Sequence, residues 1–311
     1  MENAEKMKAI VATKFGSPDF LELQEVVKPL PKVNEVLIRV YAGTVTIGDA
    51  LLQKVNLPLR LIFRLFGFGP KKIPGHEFAG EIEAVGKDIT KFKKGDQVFG
   101  TTSGFSFGGN AEYVCLPEEW SKGVMALKPE NMSFEEAACV PIGGMTALHI
   151  LRKANIQEEQ DVLIYGASGS VGTFAVQLAK AFGANVTGVC SSKNLELVKS
   201  LGADRVIDYT KEDFFRRPET YNVIFDAVRK ISKSKCKRSL KKNGIFISVS
   251  SSVSESLEKL NFLKQLAESG KLKSVIDRSY PLEKTVEAHK YVDTGRKRGN
   301  VVITIHQGSN M

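Results

Sequence analysis

The chain has little cysteine: Cys115, Cys139, Cys190 and Cys236 are its four, and no two form a CxxC pair. That scatter argues against a disulfide framework or a four-cysteine zinc lobe and makes a reducing cytosol the expected compartment. No window of about eighteen uninterrupted apolar residues occurs, so no integral membrane segment is expected. The opening residues, MENAEKMKAIV, carry early acids and no apolar core of the kind a secretory signal needs. Internal repeats and low-complexity linkers are lacking too. The formal net charge of +9 favours anionic partners. Yet there is no aromatic-basic RNA motif and no basic recognition helix, so nucleic acid is not an expected partner.

Hydrophobic residues at 42% and charged ones at 25% are ordinary soluble proportions, and 311 residues suffice for a large core in two domains. The most informative stretch is 161–209. Val162, Leu163, Ile164 and Tyr165 form a short apolar run, as a strand buried on both faces does. Gly166, Ala167, Ser168, Gly169, Ser170, Val171 and Gly172 follow at once, and then Phe174, Ala175, Leu178, Ala179 and Phe182 recur at helical spacing before Gly183. Strand, glycine turn and helix N-terminus in that order are the context of a dinucleotide fingerprint, in which backbone N–H groups and the helix dipole hold a pyrophosphate. A turn that binds nothing is the competing reading of the glycines alone.

A second strand is predicted over 185–190. Folds that bind NAD place an acid about 20 residues past the glycines, where it bonds the ribose 2′-OH. Here no acid occurs between Asp161 and Glu196, and the strand tip carries Ser191, Ser192 and Lys193 instead. Hydroxyls and a cation suit a 2′-phosphate, so the cofactor expected is NADPH, with Ser191, Lys193 and Tyr209 as its recognition set. Further buried strands are read at 221–228 and 244–250. Ala227, Val228 and Ser250, at their C-terminal ends, are candidates to touch the nicotinamide half. The N-terminal part reads as mostly β, with strands at 8–13, 21–27, 36–41, 80–85, 97–100 and 111–115. Ser133 with Glu136 forms a capping box before one helix, Pro141 opens a second, and residues 261–271 form the last helix of the nucleotide-binding part.

The run Pro74-Gly75-His76-Glu77-Phe78-Ala79-Gly80, then Val85-Gly86, FKKGDQVFG at 92–100 and Ala111-Glu112-Tyr113, resembles the medium-chain dehydrogenase/reductase superfamily over residues 7–305. Its zinc-independent, quinone oxidoreductase-like branch is the nearest match. The resemblance implies an α/β fold: a mostly-β GroES-like substrate domain, 1–124 completed by 274–311, and a Rossmann-type doubly wound parallel sheet binding NADP, 125–273. It also implies an active-site cleft and a homodimer. Thr146 inherits a contact with the nicotinamide ribose or carboxamide, or else caps its helix. Gly299-Asn300 stands where related enzymes have Gly-Lys near the cofactor, with Arg298 as a substitute charge, and Arg229 stands where they have glycine.

In zinc-dependent relatives the metal ligands are a Cys where this chain has Thr46, the His of the GHE motif, and a Cys near Gly143. Only His76 and Glu77 remain, so no catalytic metal is expected. His76 is left with ordinary hydrogen bonding, either in packing or in catalysis. The implied chemistry is hydride transfer from NADPH to a quinone or an α,β-unsaturated carbonyl. Thr46, Tyr41 and Asp49 are candidates to stabilise the developing oxygen charge, Asp49 more as a loop organiser. Several quinone reductases carry Asn at the Thr46 position and Tyr at the Leu51 position, and both are missing here. Two alternatives stand beside this reading: an alcohol/aldehyde oxidoreductase, and an NADPH-binding protein with little turnover. The segment 51–74, with Arg60, Arg64, Lys71 and Lys72, is open to three readings: a lid, a core element or a weak peripheral membrane contact.

Overall fold

Strand β3 (Glu35–Thr44) is the spine of the first half, because its residues are buried on both faces and it has neighbours on each edge. The computed structural model in which it is seen describes residues 4–14, 16–53, 73–102, 108–120, 123–249 and 254–306. Ahead of β3, strands β1 (Lys6–Ala12) and β2 (Leu21–Val27) pair antiparallel in a two-stranded sheet. Helix α1 (Ile47–Gln53) follows β3 directly. Strands β4 (Glu77–Val85) and β6 (Tyr113–Pro117) both pair antiparallel with β3, and β5 (Gln97–Thr101) and β7 (Val124–Leu127) extend the sheet beyond β4. Val36, Ile38, Val40, Phe78, Ile82 and Val98 fill its main core. Helix α2 (Phe134–Ala138) starts where the sequence places it: Ser133 Oγ accepts from the Glu136 N–H and the Glu136 carboxylate accepts from the Ser133 N–H.

Helix α3 (Val140–Lys153) leads into the second unit. There β8 (Asp161–Tyr165), α4 (Ser170–Ala181), β9 (Asn185–Cys190), α5 (Leu195–Ser200), β10 (Arg205–Asp208), β11 (Tyr221–Asp226), α6 (Lys233–Cys236) and β12 (Leu240–Ser248) succeed one another. The five strands lie in the order β10-β9-β8-β11-β12 and every pairing is parallel. The order reverses at β8, so the crevice beyond the C-terminal ends of β8, β9 and β11 is where such a sheet takes a ligand. After α7 (Leu257–Glu268), strand β13 (Ile276–Pro281), helix α8 (Thr285–Asp293) and strand β14 (Asn300–Thr304) return to the first unit, where β14 pairs antiparallel with β3.

The two units comprise Met1–Pro141, Ser256–Asn261 and Ile276–Met311, and Ile142–Glu255 with Phe262–Val275. The division thus falls after the boundary at 124/125 expected from sequence. The reason is β7: Val124 to Leu127 pair with Thr101 to Val98 and so belong to the first sheet. Ser250 and residues 54–72, which include most of the segment with three open readings, lie outside the described residues.

Candidate functional site

The glycine corner of the second unit has the geometry of an anion cradle. Gly166, with φ of +80°, turns the chain out of β8, and its N–H and that of Ala167 both donate to the Val189 carbonyl at 3.0 Å. Gly169 is the N-cap of α4, and its N–H donates to the Gly166 carbonyl at 3.1 Å. A Cβ on Gly172 would meet that same carbonyl oxygen at 2.1 Å and Ala167 Cα at 2.8 Å. The absence of that methyl lets the helix start directly against the turn, where the first-turn N–H groups at Val171 and Gly172 point the positive end of the helix dipole out of the corner, as an anion site needs. Val228 packs onto the corner from β11's end, since a Cβ on Gly166 would lie 2.5 Å from Val228 Cγ1.

Asn194, which the sequence reading missed, ties this corner to the tip of β9. Its Nδ2 donates to Ser168 Oγ at 3.0 Å and to Ser191 Oγ at 3.2 Å. Lys193 is exposed in the short turn that follows β9. Tyr209, half exposed, donates its backbone N–H to the Cys190 carbonyl at 3.1 Å, and its ring sits 6.2 Å from that of Tyr165. A cavity of about 350 Å³ opens beside them, lined in part by Tyr165, Tyr209, Phe214 and Phe215. The structure therefore gathers Ser168, Ser191 and Tyr209 around the end of β9.

The loop after β11 answers the question raised by Arg229. The buried Asp226 carboxylate accepts from the N–H of Val228 and the N–H of Ile231, both at 3.0 Å. That clamp forces Arg229 to φ of +57°, a conformation in which an L side chain crowds its own carbonyl. Arg229→Gly is expected to stabilise the fold by about 1 kcal/mol through release of that strain, read from the midpoint of urea unfolding. Ala227 donates its N–H to the Tyr165 carbonyl at 3.0 Å, which links the ends of β11 and β8.

In the first unit, Asp49 organises a second group. Its Oδ2 accepts from the Thr46 N–H at 2.8 Å and from Thr46 Oγ1 at 2.6 Å, and its Oδ1 lies 2.6 Å from His76 Nδ1. Burial alone raises the carboxyl pKa, but the charge and hydrogen bond of His76, then the Thr46 hydroxyl, outweigh it and hold Asp49 at about 2. At neutral pH Asp49 is therefore an anchor and not an acid. The Thr46 hydroxyl proton is committed to that anchor, and the imidazole of His76 is held by it through Nδ1. His289, on α8, is fully buried, and among the described residues neither ring nitrogen has a hydrogen-bond partner. Burial pushes its pKa down, against the pull of Asp49 and Asp293.

Tyr41 makes different contacts: its ring stacks on Phe134 at 4.3 Å and tilts against His306 at 5.9 Å. Arg298 engages Asp277 through its N–H at 2.9 Å and its Nε at 3.6 Å, and Asn300 is buried at the start of β14. The neighbouring Lys297 went unnoticed in the sequence. Burial lowers its pKa against the pull of Glu77 and Cys139, and its Nζ donates to the Gly299 carbonyl at 2.8 Å. Thr146 lies half-buried on α3. A zinc ion does not fit these donors. Thr46 and His76 Nδ1 are turned to Asp49, and no cluster of three metal-ligating side chains occurs among the described residues.

Comparison with known proteins bears on both units. Residues 32–129 match the model for an alcohol dehydrogenase GroES-like domain and residues 170–289 that for a zinc-binding dehydrogenase. The chain is 37% identical to a 2-methylene-furan-3-one reductase from Solanum lycopersicum, over 96% of its own length and 79% of the relative's. It is 32% identical to an NADPH-dependent alkenal/one oxidoreductase of Arabidopsis thaliana, with the same shares covered. Among solved structures, the quinone oxidoreductase from Coxiella burnetii superposes with a TM-score of 0.82 at 27% identity, covering 97% of this chain and all of that one.

Proposed function

The chain belongs to the medium-chain dehydrogenase/reductase superfamily as an oxidoreductase of its quinone oxidoreductase-like branch, and from that premise we propose that it reduces α,β-unsaturated carbonyls or quinones with NADPH, without a metal. The observation that carries the cofactor is the glycine corner, whose Gly172 leaves no room for even a methyl group between helix and turn. When bound, the nicotinamide supplies the hydride. The N–H groups of Val171 and Gly172 would hold the pyrophosphate, Asn194 keeps Ser168 and Ser191 facing the same region, and Lys193 offers the 2′-phosphate a cation. In the first unit, Asp49 fixes His76 by its Nδ1, so that proton exchange takes place on a ring of set orientation. Conjugated carbonyl electrophiles, enones and quinones alike, are the substrate class. Three readings from sequence stay within this proposal: a homodimer, checked by light scattering, a cytosolic location, and a weak peripheral membrane contact.

The test is a spectrophotometric screen of NADPH oxidation over 2-alkenals, enones, and 1,2- and 1,4-quinones, with saturated aldehydes as the comparison. Turnover confined to the conjugated acceptors supports the proposal, and turnover of simple aldehydes favours an alcohol/aldehyde oxidoreductase. Nucleotide binding with no turnover at all would favour a binding protein. For the cofactor, Lys193→Ala is expected to raise the Kd for NADPH about tenfold, the loss of one exposed charge-assisted contact. Its Kd for NADH should stay within about twofold, both being read by fluorescence titration.

A further inference from the structure

The sequence places no acid along β9, but the sheet brings one in from the side. In the parallel pairing of β10 with β9, Asp208 stands next to Cys190, one strand spacing of about 4.8 Å from the tip that recognises the nucleotide ribose. Its Oδ1 accepts from Thr210 Oγ1 at 2.7 Å and from the Thr210 N–H at 3.0 Å, and its Oδ2 accepts from Ser192 Oγ. The two hydroxyl oxygens are themselves 3.0 Å apart. A hydroxyl has a single proton to give. Both protons here can be taken by the carboxylate, and neither is then presented outward.

We infer that Asp208 is a specificity-determining residue of the nucleotide site: it withholds the Ser192 and Thr210 hydroxyl protons from a 2′-phosphate and sets a negative charge beside it. The hydrogen bonds of Ser192 and Thr210 hold the Asp208 carboxyl below the usual carboxylate range, so the charge is present at neutral pH. Lys193 attracts the phosphate, and Asp208 limits how far that attraction discriminates. The tip is thereby set for a preference for the phosphorylated nucleotide short of what its cations alone would give. The inference rests on the NADPH site proposed above, and it assigns a role to a residue that a search along β9 alone does not reach.

The test is calorimetric titration of the full chain with 2′,5′-ADP and with 5′-AMP, for the wild type, Asp208→Asn and Ser192→Ala. Asp208→Asn is expected to tighten 2′,5′-ADP binding about tenfold, the removal of one partly screened like charge, with 5′-AMP within about twofold. Ser192→Ala is expected to leave 2′,5′-ADP within about twofold, since its proton already belongs to Asp208. Should Asp208→Asn fail to fold, Ser192→Ala decides alone. A loss of 2′,5′-ADP affinity in either variant would mean that the acid and its hydroxyls build the phosphate site, and the inference would be overturned. An equal change for both ligands, or no binding of either by the wild type, overturns it too. A wild type that shows no preference while Asp208→Asn creates one would uphold the inference and sink the NADPH assignment.

Discussion

Gly172→Val is expected to abolish nucleotide binding. The new Cβ would stand 2.1 Å from the Gly166 carbonyl oxygen and 2.8 Å from Ala167 Cα, and both neighbours are backbone with no rotamer to escape into. Helix α4 has to withdraw from the turn, which carries the N–H groups of its first turn away from the anion they are placed to hold. The loss of two charge-assisted hydrogen bonds, each about 1.5–3 kcal/mol, corresponds to at least about a hundredfold in Kd for NADPH. Overpacking adds about 1–3 kcal/mol of destabilisation. Gly169→Ala is the comparison within the same motif. Gly169 has ordinary extended dihedrals and its added Cβ would find the Gly166 oxygen at 3.5 Å, so that variant should lose less than about 1 kcal/mol of stability. Fluorescence titration with NADPH, together with thermal unfolding, separates the two effects. Equal behaviour of the two variants would show that close helix-to-turn approach is not what the glycines provide.

Asp49→Ala is expected to destabilise the chain by about 3–5 kcal/mol, the range for removing one partner of a buried charged network. Three donors depend on this carboxylate: the Thr46 N–H, the Thr46 hydroxyl and His76 Nδ1. The same residue gives stability a pH dependence of known sign. Because the folded Asp49 is held at about 2, below the ordinary 3.8, the folded state binds fewer protons than the unfolded one. The resulting stabilisation, on the order of 2 kcal/mol, is present in full above about pH 4 and is lost as pH falls through 2. Urea unfolding between pH 2 and pH 6 should show this slope in the wild type, and Asp49→Ala should lessen it, leaving the part that other lowered carboxyls such as Asp204 and Asp208 contribute. A wild-type slope that survives the substitution unchanged would place the titrating group elsewhere.

Much of the fold is legible in the residues, and the reasons for the exceptions are physical. The run from Val162 to Tyr165, the glycines and the spacing from Phe174 to Phe182 give β8, the turn and α4, because each signal is local and the three agree. The capping box at Ser133 is local as well, and it appears as expected. Strand β10 went unread because it is four residues long with Arg205 and Asp208 at its ends, and its place comes from pairing with β9. Asp208 reaches the nucleotide tip by that pairing alone, so a search for an acid along one strand passes it by. Asn194 is equally hidden, since its two partners, Ser168 and Ser191, meet only when the corner and the tip of β9 are folded. Arg229 shows the reverse case: an arginine where the resemblance leads one to expect glycine leaves the loop shape open, until the backbone contacts of Asp226 fix it. The trio at Asp49 was half legible, with Thr46 and Asp49 three residues apart at the start of α1 and His76 arriving from the edge of β4.

Hydride transfer from NADPH to a conjugated acceptor without a metal leaves a label that can be followed. The most direct measurement follows the label from NADPH carrying two deuteriums at C4 into the β-carbon of an enone, by mass spectrometry, with protein exhaustively treated with chelator. Deuterium is expected at that carbon, incorporated at the rate seen with the same cofactor and protein not treated with chelator. Product that forms only after zinc is restored, or a saturated ketone without deuterium at that carbon, would contradict metal-free transfer.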